Sequence, residues 1–269
     1  MLVQPLSSRL GAVISDLDLR DLDATTARQL RDEVVANKVV FVRGQHLTDD
    51  EHLTMARWFG TPSVYPLARL MGADRALGYI RDSAESPPDA DVWHTDLTWI
   101  AEPPTFAFLN AIEIPERGGD TMWSDLEAAY TALSEPVQEL LARCEVEHLV
   151  SEPIVRNARQ MGLDERLSAE YPPQRWPLVR THPVTGRPLL FACEGFATRV
   201  LGVSAAESRW ILDFVHRHIG NENLTCRWSW TPGDMAIWDE RSTNHRALSD
   251  HYPASRTMRR CTVDGDTLA

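Results

Sequence analysis

The sequence lacks the features that mark secreted or membrane-embedded chains. No stretch approaches the ~18 consecutive apolar residues of a membrane span, and the N-terminus has neither a charged start nor a long apolar run. The four cysteines are far apart and form no C-x-x-C pair. We therefore expect reduced, mostly buried thiols, no secretory leader and a cytoplasmic protein.

Basic charge is scarce as well. The 269 residues include 27 Lys and Arg against 39 Asp and Glu, the formal net charge is −12, and no strongly basic block appears. Bulk charge therefore disfavours nucleic acids and membranes as partners, and we expect a small-molecule substrate.

Several catalytic signatures are also missing. The chain contains no G-x-G-x-x-G, P-loop, H-E-x-x-H, EF-hand loop or G-x-S-x-G elbow. These absences argue against nucleotide, zincin, calcium and Ser-His-Asp hydrolase sites.

Short apolar, strand-like runs recur along the chain, for example at 39–42, 106–114 and 235–238, without regular βαβ alternation. We expect one domain spanning 1–269 with a mainly β fold and flanking helices (α+β), of which a jelly roll is one architecture. Residues 150–178 are polar and show little periodicity, so we expect a long loop there that serves as a lid or is a surface insertion.

The best metal-binding candidate is His94-x-Asp96. If it lies on a strand, both side chains point to one face and present an imidazole nitrogen and a carboxylate oxygen together. Non-haem Fe(II) sites use two His and one carboxylate, and His245 is the best third ligand. In contrast, His216-x-His218 lies in a helix pattern, where residues two apart do not face each other.

Two arginines follow His245 closely. Arg256 and Arg260 are four residues apart, so they share a face if this segment is a strand. Two guanidinium groups there would form an anion pocket suited to a dicarboxylate, because arginine binds carboxylates through a bidentate fork. The alternative is that they form ordinary surface salt bridges.

These residues lie within motifs that resemble the taurine dioxygenase (TauD/TfdA) family of Fe(II)- and 2-oxoglutarate-dependent oxygenases. The similarity covers nearly the whole chain in family order: Trp93-His94-Thr95-Asp96, Gly118-Gly119-Asp120-Thr121-Met122-Trp123, Arg180-Thr181-His182-Pro183, Glu194-Gly195-Phe196, Ala236-Ile237-Trp238-Asp239 and 245–260. It implies a double-stranded β-helix, that is, a jelly roll with flanking helices, and Fe(II), 2-oxoglutarate and O2 as cofactors. We also expect a homo-oligomer, either a dimer or a tetramer.

The resemblance implies roles for particular residues. Three match the iron ligands: His94, Asp96 and His245. Four match positions around the cosubstrate: Thr121 and Arg256 at its distal carboxylate, Arg260 near its C1 carboxylate and the substrate, and Trp238 close to the iron. The retained Asp96 indicates an oxygenase rather than a halogenase, in which a small residue makes room for chloride. The implied reaction hydroxylates an unactivated C–H bond and releases succinate and CO2.

The substrate is harder to infer. Taurine-using members have a His and an Asn at positions that match Tyr65 and Ala90 here, which disfavours taurine. Phe196 keeps an aromatic wall, Trp99 is the candidate for a second one, and Arg260 is available for an anionic group. Tyr65 and Trp99 are equally compatible with a place in the core.

We expect a small or medium-sized organic acid, sulfonate, sulfate ester or amino-acid-derived metabolite as substrate. Two other hypotheses remain open: a Zn(II)-dependent hydrolase that uses the same three ligands, and a catalytically silent family member that only binds a metabolite.

Overall fold

Two β-sheets pack face to face in the computed structural model, which describes residues 1–88 and 91–264. The strands are β1 (Leu2–Pro5), β2 (Ala12–Ser15), β3 (Val39–Val42), β4 (Pro62–Ser63), β5 (Gly78–Asp82), β6 (Phe106–Glu113), β7 (Thr121–Asp125), β8 (Glu145–His148), β9 (Gln174–Pro177), β10 (Val179–Thr181), β11 (Pro188–Leu190), β12 (Ala197–Val200), β13 (Thr225–Trp228), β14 (Met235–Asp239), β15 (Thr243–Ala247) and β16 (Arg256–Val263). The larger sheet has the order β1-β2-β3-β14-β6-β16-β4, with β5 also paired to β16, and the smaller sheet has the order β13-β7-β15.

Pairing within both sheets is antiparallel except between β2 and β3. The strands of each sheet come from distant parts of the chain, as in a sandwich with crossing connections. The mainly β, jelly-roll architecture predicted from the sequence is confirmed.

Helices flank the sheets. They are α1 (Ala24–Asn37), α2 (Asp49–Ala56), α3 (Pro66–Leu70), α4 (Leu126–Thr131), α5 (Glu135–Leu141), α6 (Glu152–Gln160), α7 (Asp164–Glu170) and α8 (Ala205–Ile219). Capping boxes begin α2 at Thr48 and α8 at Ser204, where the hydroxyl and the Glu three residues later satisfy free backbone N–H groups. None of the helices in the described part of the chain is both long and apolar enough to cross a membrane.

Strand β3 shows why its sequence is apolar at every position. Val40 and Val42 pack against the helices on the outer face of the larger sheet, whereas Val39 and Phe41 point to the smaller sheet. The ring of Phe41 stacks on that of Trp228 from β13 at 4.1 Å between centroids. Both faces of the strand are therefore buried, which favours continuous β-branched and aromatic residues over alternation.

The segment 150–178 is not the irregular loop that the sequence predicts, because it contains α6, α7 and β9. A buried apolar cluster joins α6 and α7 to α3 and to the chain next to His94, through Ala158, Leu167, Leu67, Leu97 and Phe196. The low periodicity of the sequence reflects helices that bury only a narrow stripe each: Ala158 in α6 and Leu167 in α7.

A substitution of Phe108 in β6 tests the packing of the core between α2 and the larger sheet. Its buried ring meets the edge of the Phe59 ring at 5.1 Å between centroids. Phe108→Ala should lower the free energy of unfolding by about 3–5 kcal/mol, because it removes a buried ring and leaves a cavity. Ile112→Ala on the same strand is the control, since Ile112 is 42% exposed and its loss should change stability by only about 0.5 kcal/mol. Equal effects in chemical denaturation would contradict this placement of the core.

Candidate active site

Three potential metal ligands converge beside β15. His94 forms an isolated antiparallel bridge with His245 of β15, in which each backbone N–H donates to the other's carbonyl, at 2.9 Å and 2.7 Å. Oδ1 of Asp96 lies 3.7 Å from Nε2 of His94 and 3.9 Å from Nε2 of His245. All three ligand atoms lie within 4.8 Å of one another. In residues 1–88 and 91–264, no other group of three His, Cys, Asp or Glu side chains is arranged in this way.

The route by which His94 and Asp96 meet differs from the one predicted. The two residues do not share a strand, since His94 forms the bridge and Asp96 begins a turn. The next residue, Leu97, has a φ of 56°, in the left-handed region that non-glycine residues rarely adopt. The ligand atoms of His94 and Asp96 nevertheless lie together, as their two-residue spacing predicts, although the segment is a bridge followed by a turn and not a regular strand.

The protonation states suit a divalent cation. Nδ1 of His94 donates to the carbonyl of Val92 at 2.8 Å, which leaves the Nε2 lone pair available for a metal. Burial, followed by the neighbouring His94, holds the pKa of His245 well below its ordinary value. Burial alone would raise the pKa of Asp96, but Arg260 and the two imidazoles outweigh it and hold this pKa below its usual range. Two imidazoles and one carboxylate form the donor set of a non-haem Fe(II) site, so these residues fit the metal.

The second oxygen of Asp96 has partners of its own. Oδ2 accepts a hydrogen bond from Arg260, and the Asp96 backbone N–H donates to Oε2 of Glu240 at 3.0 Å. Burial, followed by the charge of Asp96, raises the pKa of Glu240 well above its ordinary value. Burial alone would lower the pKa of Arg260, but Asp96, Glu240 and Tyr65 together raise it. Arg260 is therefore a fixed positive charge at the edge of the triad.

Thr121 and Arg256 meet deeper between the sheets. Nη2 of Arg256 donates to Oγ1 of Thr121 at 3.3 Å, and the indole of Trp230 donates to the same oxygen at 3.0 Å. Nη1 of Arg256 lies 3.4 Å from Oδ2 of Asp82. Nε of Arg256 is buried without a hydrogen-bond partner among the described residues. A buried guanidinium with an unsatisfied N–H fits a bound carboxylate, because arginine binds this group through two N–H groups at once.

The Gly118-Gly119 pair makes room for this arginine. Both residues have a left-handed backbone, with φ values of 76° and 74°. A Cβ at position 119 would lie 3.1 Å from Cδ of Arg256, tighter than ordinary packing. Position 119 therefore favours glycine for two reasons, the left-handed backbone and the short distance to the Arg256 side chain.

The aromatic residues singled out in the sequence occupy different surroundings. The Trp238 ring lies 4.8 Å from the His245 ring, and the Phe196 ring lies 6.3 Å from the His94 ring, so both are beside the triad. Tyr65, at the start of α3, is near enough to Arg260 to influence its pKa. Trp99 is only 1% exposed and packs edge-on against Tyr171 at 5.3 Å, within the cluster under α6 and α7. Ala90 lies outside the described residues.

The family model for "Taurine catabolism dioxygenase TauD, TfdA family" matches residues 2–262. The chain belongs to this family. It is therefore a 2-oxoglutarate-dependent non-haem iron dioxygenase, and its cofactors are Fe(II), 2-oxoglutarate and O2.

Curated relatives of the dioxygenase span most of its length. It is 33% identical over 272 residues to the "Alpha-ketoglutarate-dependent sulfate ester dioxygenase" of Pseudomonas putida, covering 98% of this chain and 89% of that one. It is 31% identical over 290 residues to the "Alpha-ketoglutarate-dependent 2,4-dichlorophenoxyacetate dioxygenase" of Cupriavidus pinatubonensis, covering 100% and 99%. α-Ketoglutarate is another name for 2-oxoglutarate.

Solved structures of similar proteins share the fold. A "Taurine Dioxygenase from Burkholderia xenovorans" is 30% identical with a TM-score of 0.83, covering 98% of this chain and 91% of that one. The structure of "AAD-2 in complex with Mn(II) and N-oxalylglycine" is 24% identical with a TM-score of 0.87, covering 100% of this chain and 99% of that one. At this identity the likeness shows the fold alone.

Three residues that contact the dioxygenase site were not predicted from the sequence: Glu240, Asp82 and Trp230. Each contacts a predicted site residue, namely Asp96, Arg256 and Thr121 respectively. Glu240 and Asp82 follow or end strands, where acidic residues are usually solvated, so the sequence held no signal of their burial. Trp230 stands in an alternating run that predicts a strand face but does not say what that face contacts.

His94→Ala tests the metal centre. The variant should bind Mn(II), a redox-stable substitute for Fe(II), at least about 100-fold more weakly, since partners of metal ligands alone account for about 10–100-fold. The electron paramagnetic resonance signal of free Mn(II) measures this binding. His216→Ala is the control and should keep the wild-type Kd, because its imidazole lies on α8 outside the triad. Wild-type binding by His94→Ala would show that the ligands are assigned wrongly.

Arg256→Gln tests the carboxylate pocket. Loss of a buried charged donor should raise the KM for 2-oxoglutarate by about 10- to 100-fold while the Kd for Mn(II) stays unchanged. The matched control is Arg259→Gln on the same strand, because Arg259 is also buried but faces Asp49 and Asn110. That variant should lose thermal stability and keep the KM. A KM for 2-oxoglutarate that rises equally in both variants contradicts the assignment.

Proposed function

We propose that the dioxygenase hydroxylates an unactivated C–H bond of a small organic anion, with succinate and CO2 as coproducts. The observation that carries the proposal is the placement of two arginines along β16. Arg256 lies beside Thr121, and Arg260 lies beside Asp96 of the triad. One positive charge is thus available for the cosubstrate and a second one at the reacting end of the pocket.

In this proposal His94, Asp96 and His245 would hold Fe(II) through two imidazole nitrogens and one carboxylate oxygen. The bound metal, with 2-oxoglutarate, would supply the activation of O2. Asp96 contributes Oδ1, which faces the imidazoles, while Arg260 engages Oδ2. The ion pair with Arg260 keeps this carboxylate ionised and fixes its rotamer.

Thr121 and Arg256 hold the distal carboxylate of 2-oxoglutarate. Oγ1 of Thr121 already accepts from Trp230 and Arg256, so its own hydroxyl hydrogen is left to donate to an anion. Arg256 adds its Nε–H, which has no partner among the described residues, and its positive charge, which Asp82 faces at 3.4 Å. The distal end of the cosubstrate is thereby held between two sheets, away from solvent.

Arg260, together with Tyr65, is our candidate for the anionic group of the substrate. Its side chain is 21% exposed, more than that of Arg256, so it is open to a ligand that arrives from solvent. Sulfate esters and phenoxyacetates, the compounds named for the relatives in Pseudomonas putida and Cupriavidus pinatubonensis, are anions at neutral pH. We propose a sulfate ester, a sulfonate or an aryloxyalkanoate as the substrate class, and Phe196 as an apolar wall.

Helices α6 and α7 are the proposed lid. They pack through Ala158 and Leu167 onto the cluster that includes Leu97 and Phe196, next to the triad. A cover at this position would exclude water from the reacting groups. The four buried, unpaired cysteines support a reducing, cytoplasmic compartment for the enzyme.

A substrate panel tests the proposed function. Purified enzyme with Fe(II), 2-oxoglutarate and O2 should release succinate above the substrate-free rate with one of 2-ethylhexyl sulfate, hexanesulfonate or 2,4-dichlorophenoxyacetate, and give little with taurine. Removal of O2 or of 2-oxoglutarate should stop product formation. Product formation without either, and with Zn(II), would instead indicate a hydrolase.

A further inference from the structure

Glu240 is a buried carboxyl group to which the proposed chemistry gives no task. It lies in the turn between β14 and β15, and its backbone N–H donates to the carbonyl of Thr105 at 3.0 Å. Its side chain is fully buried. A buried carboxyl group is costly unless it has hydrogen-bond partners, so the identity of those partners is informative.

The two oxygens of Glu240 bind two different donors. Oε2 accepts from the backbone N–H of Asp96 at 3.0 Å, and Oε1 accepts from Nε1 of Trp238 at 2.8 Å. Asp96 is one of the proposed metal ligands, and Trp238 packs on another, His245. A single side chain therefore connects the surroundings of two ligands that are about 150 residues apart in sequence.

On the Asp96 side, the contact stabilises an unfavourable backbone. Leu97 has a φ of 56°, and a non-glycine residue keeps such a conformation only when its surroundings enforce it. The hydrogen bond from the Asp96 N–H to Glu240 acts on the first residue of this turn, immediately before Leu97. Without it, the turn that begins at the ligand Asp96 would lose one of its restraints.

On the His245 side, Glu240 acts through the indole of Trp238. Nδ1 of His94 donates to a backbone carbonyl, as metal-bound histidines usually do. Nδ1 of His245 has no hydrogen-bond partner in the part of the chain that the structure describes. The orientation of the His245 ring therefore depends on packing, and the Trp238 ring lies 4.8 Å from it. Glu240 fixes the indole that does this packing.

We propose that Glu240 is a positioning residue of the metal centre, which sets the separation of Asp96 and His245 by holding the backbone of the first and the aromatic neighbour of the second. The inference rests on the proposed metal-binding role of the triad. It adds to that role a residue that touches neither the metal nor the substrate.

Glu240→Gln is the most direct test, because it preserves size and leaves one acceptor oxygen where the carboxyl group has two. Its amide nitrogen would face a donor N–H, so one of the two contacts is lost. The Kd for Mn(II), measured from the signal of the free ion, should rise by about 10–100-fold. Trp238→Phe removes the N–H and replaces the indole by a smaller ring beside His245, so it should weaken Mn(II) binding in the same direction by a smaller factor.

Asp234→Asn is a matched control. Oδ2 of Asp234 also accepts from one indole, that of Trp228 at 3.2 Å, and from one backbone N–H, that of Thr231 at 2.9 Å, and in addition it forms an ion pair with Arg43. Asp234 is likewise fully buried but precedes β14, whereas Glu240 follows it. Both amide variants should lower the Tm, and only Glu240→Gln should change the Kd for Mn(II).

Two results would overturn the inference: a wild-type Kd in Glu240→Gln, or equal weakening in Glu240→Gln and Asp234→Asn. If Glu240→Gln does not fold, the Kd of Trp238→Phe decides, and a wild-type value there overturns the inference. Failure of the proposed metal centre looks different, since Mn(II) binding would then be indifferent to His94→Ala. Failure of the present inference alone leaves that dependence on His94 intact.

Discussion

The reciprocal backbone hydrogen bonds between His94 and His245 are the contact on which the active site depends. They join a segment that has left the sheets to the edge strand β15, so the smaller sheet sets the distance between the two imidazoles. Asp96 then needs only one turn to bring its carboxylate beside them. Because the bridge is made by backbone groups, the framework does not depend on the metal for its cohesion.

Charge in the pocket is arranged around this framework in pairs. Arg260 faces Asp96, and Arg256 faces Asp82, so each buried guanidinium has a protein carboxylate beside it. Each pair nevertheless leaves capacity unused: the Arg256 Nε–H has no partner among the described residues, and Arg260 is partly open to solvent. Each arginine therefore has a carboxylate partner even when the pocket is empty. Two separate anions can bind without leaving an unpaired, desolvated arginine when they depart.

The sequence predicted which residues form the site better than it predicted how the backbone arranges them. Residue types and family motifs predicted the grouping of the triad, the placement of Thr121 and Arg256 at one end of the pocket and the jelly roll, because these depend on donor atoms and on patterns that repeat along strands. The regular strand expected for His94 and Asp96 is instead a single bridge followed by a turn, and the left-handed φ of Leu97 has no signal in the sequence because it depends on tertiary contacts. Ser124-x-x-Glu127 has the spacing of a capping box, but Ser124 lies in β7 and Asp125 caps α4 instead. Glu240 was missed because its burial arises only when β14, β15 and the Asp96 turn come together.

The triad and the β16 arginines are proposed to bind Fe(II) and 2-oxoglutarate in one site. Anaerobic absorption spectroscopy tests this proposal most directly, through the weak visible charge-transfer band of the Fe(II)–2-oxoglutarate chelate. The wild-type protein should show a band that requires both Fe(II) and 2-oxoglutarate and decays when O2 and a substrate are admitted. A protein that binds Fe(II) tightly and shows no band at saturating 2-oxoglutarate would contradict it.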